Sequence, residues 1–143
     1  MIQTVNVKRI SDKAKLPERG SKHAAGLDLY TIDAEVVRPG KTVKFHTGIV
    51  VEIPNGYFGG IYARSGLSIN KGLRPANCVG VIDADYRGEI IVALHNDSTS
   101  DYFVSEGDKI AQLIIQQYLY VDFNEVNEID ETERGTGGFG STG

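Results

Sequence analysis

The chain has 143 residues, of which 41% are hydrophobic and 24% are charged, and its formal net charge is −4. This size and composition predict one globular domain over residues 1–143 and argue against a chain-wide electrostatic affinity for nucleic acid or an anionic membrane. Cys78 is the only cysteine, so no intrachain disulfide can form, and we expect this thiol to be a small buried side chain. The sequence shows no apolar run of membrane-spanning length and no signal peptide, and we therefore expect a cytoplasmic protein.

Short segments in which apolar and polar residues alternate predict an all-β fold, a sandwich or barrel, because turn signals recur roughly every dozen residues. The expected strands lie, in chain order, at residues 4–10, 24–31, 43–53, 57–62, 88–94 and 109–118. Residues 11–21 are expected to form a loop, and Gly48 a bulge within the third strand. One short helix is expected within residues 63–73, with Ser65 as its N-cap and Gly72 at its end.

Residues 80–90 combine a strand-like entry with an unusual density of functional groups. Asp83, Asp85, Tyr86 and Arg87 lie within five positions of one another. Aspartate, glycine and tyrosine are common in surface turns, which is one interpretation of this stretch. The other is that two carboxylates and a phenol form part of a site.

Two further positions carry groups that suit a phosphate ligand. Arg64-Ser65-Gly66 combines a guanidinium, a hydroxyl and flexible backbone N–H groups, which fit phosphate oxygens better than acyl transfer. Asp28 stands between two leucines and either faces solvent or has a functional role. The isolated histidines, His23, His46 and His95, predict no metal site, and no Gly-x-Ser-x-Gly elbow supports a serine hydrolase.

The last ten residues, 134–143, hold five of the 17 glycines. Their composition alone fits a flexible end. A linker has no need of Arg134, Phe139 and three hydroxyls, however, and these groups could bind phosphate and stack on a flat ring. This segment therefore predicts a mobile lid over a nucleotide.

Hydrogen-bond donors to phosphate would by themselves indicate a binding protein. The additional carboxylates, which repel a phosphate, indicate catalysis in which an aspartate orients or deprotonates water. Mg²⁺ would be needed to reconcile these charges.

The chain resembles the trimeric dUTPase family (deoxyuridine triphosphate nucleotidohydrolases) nearly from end to end. The five family motifs occur in order, at residues 25–29 (AGLDL), 64–67 (RSGL), 80–88 (GVIDADYRG), 107–113 (GDKIAQL) and 134–143 (RGTGGFGSTG). One departure is Ala63, where the family often has proline, and it removes no functional group.

The resemblance implies a jelly-roll-like distorted β-barrel with at most one short helix and a Gly-rich C-terminal arm. It implies a C3 homotrimer whose active sites lie at subunit interfaces, each closed by residues 134–143 of another subunit. The implied reaction is dUTP + H₂O → dUMP + pyrophosphate, by attack of water on the α-phosphorus, with Mg²⁺ as cofactor. This activity would limit uracil incorporation into DNA and supply dUMP for thymidylate synthesis.

The resemblance also implies a role for each motif residue. Asp83 would activate the attacking water, Asn77 and the hairpin backbone through Gly80 and Val81 would read uracil, and Tyr86 would pack on the deoxyribose. The residues implied to hold the phosphates are Arg64, Ser65, Gly66 and Gln112, with Asp28 acting through water on the Mg²⁺–triphosphate unit. The implied lid residues are Arg134, Gly138, Phe139, Ser141 and Thr142, with Phe139 stacking over uracil.

Two alternatives remain at this point. A dCTP deaminase shares the fold and the triphosphate cradle but needs an acid/base glutamate beside the pyrimidine; Glu89 is the only glutamate near the third motif, and the Gly-rich tail matches the hydrolase. A non-catalytic module that retains the nucleotide site is the second alternative, and the intact Asp83 argues against it.

Overall fold

The computed structural model describes residues 3–143 and contains twelve strands and one short helix. The strands are β1 (Asn6–Arg9), β2 (Glu18–Arg19), β3 (Leu27–Tyr30), β4 (Glu35–Val37), β5 (Thr42–His46), β6 (Ile49–Glu52), β7 (Tyr57–Tyr62), β8 (Leu73–Pro75), β9 (Gly80–Ile82), β10 (Ile91–Asn96), β11 (Tyr102–Val104) and β12 (Lys109–Gln117). The helix, α1, spans Ser65–Lys71. The prediction of an all-β, jelly-roll-like fold with at most one short helix is confirmed.

The strands form four sheets around one apolar core. The largest has the order β2-β3-β12-β7-β9, a second has the order β5-β10-β8, and two further pairs are β1-β6 and β11-β4. All pairings are antiparallel. Strand β12 lies in the middle of the largest sheet and pairs with β3 on one side and β7 on the other.

The core explains why β12 is almost continuously apolar. Its Ile110, Ala111 and Leu113 are all at most 1% exposed, because they belong to one core cluster with Leu29 of the neighbouring strand β3 and Phe45 of the second sheet. Alternation along a strand then turns Gln112 to the opposite face, where it remains partly accessible. The strand that builds the core therefore also presents a predicted site residue.

The predicted strand 43–53 is wrong as a single element, because it divides into β5 and β6 at Thr47-Gly48. Gly48 has a φ of +68°, which favours glycine. The buried Thr47 donates its hydroxyl to the carbonyl of Ile90 at 2.6 Å. The chain thereby turns between two sheets, with β5 pairing with β10 and β6 with β1.

Two predicted boundaries also differ from the structure. Ser65 was expected to cap the helix, but the N-cap is Arg64, without a side-chain capping hydrogen bond, and Ser65 is the first helical residue. Gly72 ends the helix with a φ of 74°, as predicted. The expected loop 11–21 contains the two-residue strand β2, and the expected strand 88–94 begins only at Ile91.

The prediction that Cys78 is buried is wrong. Cys78 is exposed and has a φ of 63°, because it lies at the tip of the turn between β8 and β9, where its N–H donates to the carbonyl of Pro75 at 3.0 Å. A turn position exposes a side chain whatever its polarity.

The chain forms neither helix nor strand after Gln117. Leu119, Tyr120, Phe123 and Ile129 are each more than 80% exposed. Several exposed large apolar side chains in one segment are typical of an interaction surface. Within residues 3–143, no helix is both long enough and apolar enough to span a membrane.

An ion pair outside the predicted site joins the end of β5 to the loop between β3 and β4. The backbone N–H and Nδ1 of His46 lie 2.7 and 2.8 Å from Oδ2 of Asp33. The hydrogen bond to this carboxylate raises the pKa of His46 above its ordinary value. Partial burial disfavours the charged form of Asp33, but the hydrogen bonds from His46 outweigh it and hold the pKa of this carboxyl below its ordinary value.

We expect Asp33→Asn to lower the free energy of unfolding mainly between about pH 4 and pH 6.5, the ordinary pKa values of the two groups. The lowered pKa of Asp33 contributes stability above its unfolded pKa, and this is lost as the pH falls through the folded value. The raised pKa of His46 contributes stability below its unfolded pKa, and this is lost as the pH rises through the folded value.

The side chains of His46 and Asp33 are 46% and 35% exposed, so the difference should stay below about 1 kcal/mol. Urea unfolding at about pH 5 and pH 9 measures it. Asp12→Asn is the control, since Asp12 is exposed and has no ion-pair partner in residues 3–143. An equal decrease in the free energy of unfolding at both pH values would contradict a stabilising contribution from the Asp33–His46 ion pair.

Candidate active site

Asp28, Arg64 and Gln112 come together on the largest sheet, although they are far apart in sequence. Asp28 on β3 lies directly opposite Gln112 on β12. Its carboxylate accepts a hydrogen bond from Arg64 Nε at 3.1 Å through Oδ1 and forms an ion pair with Lys109, whose Nζ lies 3.0 Å from Oδ2. With its side chain only 14% exposed, Asp28 does not simply face solvent.

Gln112 links this cluster to the start of the helix. Its Nε2 donates to the carbonyl of Ala63 at 2.9 Å, one residue before Arg64. Gly26 makes room for this amide, because a Cβ at Gly26 would overlap with Oε1 of Gln112 and lie 3.0 Å from its Cδ. The first motif therefore supplies a carboxylate and also the space that the fourth motif needs.

A cavity of about 340 Å³ lies beside this cluster. It has a cationic side, from Arg64, Lys71 and Lys109, and apolar lining residues that include Leu67 and Tyr102. One carboxylate, that of Asp108, also lines it, so the three cations exceed the anionic charge. Ser65 and Gly66 are exposed in the first turn of the helix, where backbone N–H groups have no intrahelical acceptor. The arrangement can hold an anion of several oxygens.

The third motif forms a separate pocket of about 160 Å³, lined by Val81, Ile82, Asp83, Tyr86, Glu89 and Ile91. A turn places Asp83 and Tyr86 on the same side, since the Tyr86 N–H donates to the carbonyl of Asp83 at 3.1 Å. Asp85 is exposed and does not line this pocket. The two aspartates of the motif therefore have different surroundings.

Asn77 and Gly80 lie on the turn between β8 and β9, next to that pocket in sequence. Asn77 is exposed at the tip, where its carbonyl accepts from the Val79 N–H at 2.7 Å. Gly80 is buried and pairs with Ile61 on β7. A Cβ at Gly80 would lie 3.2 Å from Cβ of Ile61, so the hairpin packs closely on the sheet and a side chain there would need its neighbours to shift slightly.

Residues 134–143 do not reach either pocket in the single chain. Hydrogen bonds within residues 119–143 stay inside that segment, such as that from Arg134 Nε to the carbonyl of Gly137 at 2.7 Å. Phe139 is fully exposed, and an open cavity beside Arg134 is lined only by tail residues, including Gly137, Ser141 and Thr142. The predicted site residues thus form three groups that one chain does not join.

Sequence reasoning gave no role to Lys109, Gly26 or Glu89. Lys109 and Gly26 lie inside the quoted motifs, so their position was a signal, but their contacts depend on strand pairing. Within residues 3–143, no group of three His, Cys, Asp or Glu side chains is placed to hold a metal ion.

Comparison with known proteins identifies the relatives of this chain. The model of the dUTPase family matches residues 12–143. The deoxyuridine 5'-triphosphate nucleotidohydrolase of Syntrophotalea carbinolica is 48% identical over 142 residues, which cover 98% of this chain and 97% of the relative. That of Candida albicans is 44% identical over 143 residues, covering 99% of this chain and 89% of the relative.

Solved structures give the same result for the fold. A variant of the dUTPase of Staphylococcus bacteriophage 80alpha, solved with dUpNHpp, superposes with a TM-score of 0.92 at 29% identity and 99% coverage of both chains. A dUTPase variant from phage phi11 of S. aureus, described for its coordination of a structural Mg(II) ion, gives a TM-score of 0.83 at 28% identity, covering 90% of this chain and 100% of that one. Sequence and structure agree over almost the whole chain, which belongs to the dUTPase family.

Proposed function

We propose that this chain hydrolyses dUTP to dUMP and pyrophosphate, by attack of water on the α-phosphorus. The observation that carries the proposal is the pocket of the third motif, where the Asp83 carboxylate and the Tyr86 phenol share one wall. The presence of the four other family motifs in order supports it. In a cell, the reaction limits uracil incorporation into DNA and supplies dUMP for thymidylate synthesis.

Asp83 is the catalytic residue in this proposal. An ionised carboxylate only accepts hydrogen bonds, so it can orient a water molecule and take its proton as the bond to phosphorus forms. Asp83 is exposed in the pocket and does not act as a hydrogen-bond acceptor for side chains of residues 3–143. Its carboxylate is therefore accessible to water.

The hairpin supplies selectivity for the base and the sugar. Asn77 and the backbone at Gly80 and Val81 read the edge of uracil, and Tyr86 packs on the deoxyribose and disfavours a 2′-hydroxyl. A hairpin N–H that donates to O4 of uracil would face the amino group of cytosine, and rejection on that basis can reach about 10⁴–10⁵-fold. A tight hairpin also leaves no room for the methyl group of thymine.

The phosphates lie against the cluster on β3, β12 and the helix start. Arg64, Ser65 and Gly66 donate to phosphate oxygens, and Gln112 holds this loop in place while contributing its amide. The cationic side of the adjacent cavity supports the assignment.

Mg²⁺ fits this site as an ion carried by the nucleotide. Mg²⁺ commonly takes substrate phosphates, waters and only one or two carboxylates as ligands, and two carboxylates lie here, that of Asp28 in the phosphate cluster and that of Asp108 in the lining of the adjacent cavity. Both oxygens of Asp28 are already paired with cations, so contact through water suits it better than direct ligation. When bound, Mg²⁺ neutralises phosphate charge.

The assembly in this proposal is a C3 homotrimer whose three active sites lie between subunits. Residues 134–143 act as a lid on a neighbour's site, with Arg134, Gly138, Ser141 and Thr142 on the phosphates and Phe139 on uracil. Two features support it: the phosphate cavity and the third-motif pocket share no lining residue, and the segment before the lid exposes large apolar side chains.

We also propose that residues 1–143 form a single domain and that the protein acts in the cytoplasm.

An assay of the purified protein with Mg²⁺ and dUTP, dCTP, dTTP or UTP tests the proposal. We expect pyrophosphate release from dUTP and far slower release from the other three. Ammonia release from dCTP would identify a deaminase instead. Failure to release pyrophosphate from dUTP would favour a non-catalytic nucleotide-binding module.

We expect Gly26→Ala to lower kcat/KM for dUTP by about tenfold, mainly by raising KM. A change of this size corresponds to the loss of one hydrogen bond to a charged ligand. The new Cβ would displace the Gln112 amide from the carbonyl of Ala63 and loosen the Arg64 loop. Gly20→Ala is the matched control, since its Cβ would lie 3.9 Å from Oδ2 of Asp28, an ordinary contact. Equal values of kcat/KM for the two variants would contradict the proposal that Gln112 holds the Arg64 loop in place.

A further inference from the structure

Glu89 lies at the end of the third motif, in the wall of the pocket that holds Asp83 and Tyr86. Its carboxylate Oε2 accepts from the backbone N–H of Gly48 at 3.0 Å. Its backbone carbonyl accepts from the hydroxyl of Tyr86 at 2.8 Å. One residue therefore connects the strand junction at Gly48 with the phenol that packs on the sugar.

Gly48 is a fixed anchor for this carboxylate. Its φ of +68° and a Cβ position only 2.8 Å from Cβ of Ala14 leave little freedom to the backbone. Its carbonyl accepts from the Ile10 N–H at 2.8 Å. On the side of the motif, the N–H of Ile90 donates to the carbonyl of Ile49 at 2.9 Å, so the exit of the motif is held at two adjacent points.

The Tyr86 ring is held closely against the turn that Glu89 ends. A Cβ at Gly88 would lie 2.5 Å from Cζ and 2.7 Å from Cε1 of Tyr86, so the phenol covers the bare backbone of Gly88. Tyr86 is otherwise 41% exposed. A shift of residues 86–89 would move the ring, because its hydroxyl follows the carbonyl of Glu89.

We propose that Glu89 is a positioning residue that sets sugar selectivity: its side chain, by reaching Gly48, fixes the place of the Tyr86 ring. This rests on the proposed dUTP hydrolysis. What matters is the length of the side chain and its acceptor oxygen, since the partner is a neutral N–H. The negative charge strengthens this hydrogen bond but does not decide whether the side chain can reach Gly48.

Two substitutions separate reach from charge. Glu89→Gln keeps the length and an acceptor oxygen but removes the charge. Glu89→Asp keeps the charge but is one methylene too short to reach Gly48. Glu35→Ala is the control, because Glu35 is an exposed glutamate on β4 that lines neither pocket.

The measurements are kcat and KM for dUTP and for UTP, and the amide hydrogen exchange of Gly48. For Glu89→Gln we expect a dUTP/UTP preference within about threefold of the wild type and a protected Gly48 amide. For Glu89→Asp we expect this preference to fall by about tenfold or more, which corresponds to the loss of one hydrogen bond to a charged group. We also expect faster hydrogen exchange of the Gly48 amide.

Any other pattern overturns the inference. If Glu89→Gln lost the dUTP/UTP preference and Glu89→Asp kept it, the effect would be due to the charge of Glu89. If both variants lost the preference, or both kept it, the length of the side chain would not determine sugar selectivity. A wild-type protein that fails to hydrolyse dUTP would instead overturn the proposed function, so the two failures are distinguishable.

Discussion

Asp83→Asn is expected to reduce turnover of dUTP by about 10²–10⁴-fold, the usual worth of a general base. Asparagine has nearly the same shape, but its amide cannot take a proton from water. Nucleotide affinity should stay close to that of the wild type, because little binding surface changes. Single-turnover kinetics and equilibrium binding of dUTP measure the two effects separately.

The matched control is Asp85→Asn, which removes the neighbouring exposed carboxylate of the same turn, outside the pocket. Its turnover should remain near that of the wild type. If Asp83→Asn kept turnover within about tenfold, the general-base role would be wrong.

Truncation after Glu133 should leave a folded trimer whose turnover of dUTP is sharply reduced. Among residues 3–143, the removed residues hydrogen-bond to the retained part only at Thr132, which lies in the same tail, so the strands lose no hydrogen bond that holds them together. Ordering a Gly-rich segment costs about 1–2 kcal/mol per residue, which only contacts with bound nucleotide offset. Light scattering and dUTP turnover test the two halves of this prediction.

Mixed trimers test whether the lid is lent by a neighbour. The truncated protein has an intact Asp83 and no lid, and full-length Asp83→Asn has a lid and no base. When the two are unfolded and refolded together, activity should partly recover, since some sites combine Asp83 of one subunit with the lid of the other. Full activity of the truncated protein by itself would contradict the lid.

The local parts of this molecule could be predicted from its sequence. Alternation placed most of the longer strands, and Gly72 marked the helix end, because these signals lie within a few neighbouring residues. Ser65 was misassigned as the cap, since Arg64 already adopts the extended conformation (φ −88°, ψ 128°) that the N-cap requires. The short strands β2, β4 and β11 depend on pairing partners rather than on their own two or three residues.

Contacts between distant residues could not be predicted in this way. Glu89 contacts Gly48 across 41 positions of sequence, and Gln112 contacts Ala63 across 49. Neither pairing has a local signal, because each depends on the register of strands in the folded protein. The motif residues could be identified from the family resemblance, but not the residues that hold them in place.

The carboxylate of Asp28 has a consequence for which anions this protein retains. Arg64 and Lys109 are both already paired with the Asp28 carboxylate, which is part of the chain and cannot dissociate. A bare anion such as inorganic phosphate or sulfate must compete with it for the same two cations, and like-charge repulsion disfavours its entry. A triphosphate that arrives with a divalent cation brings its own compensation, so the cluster discriminates between ligands by net charge before any base is read.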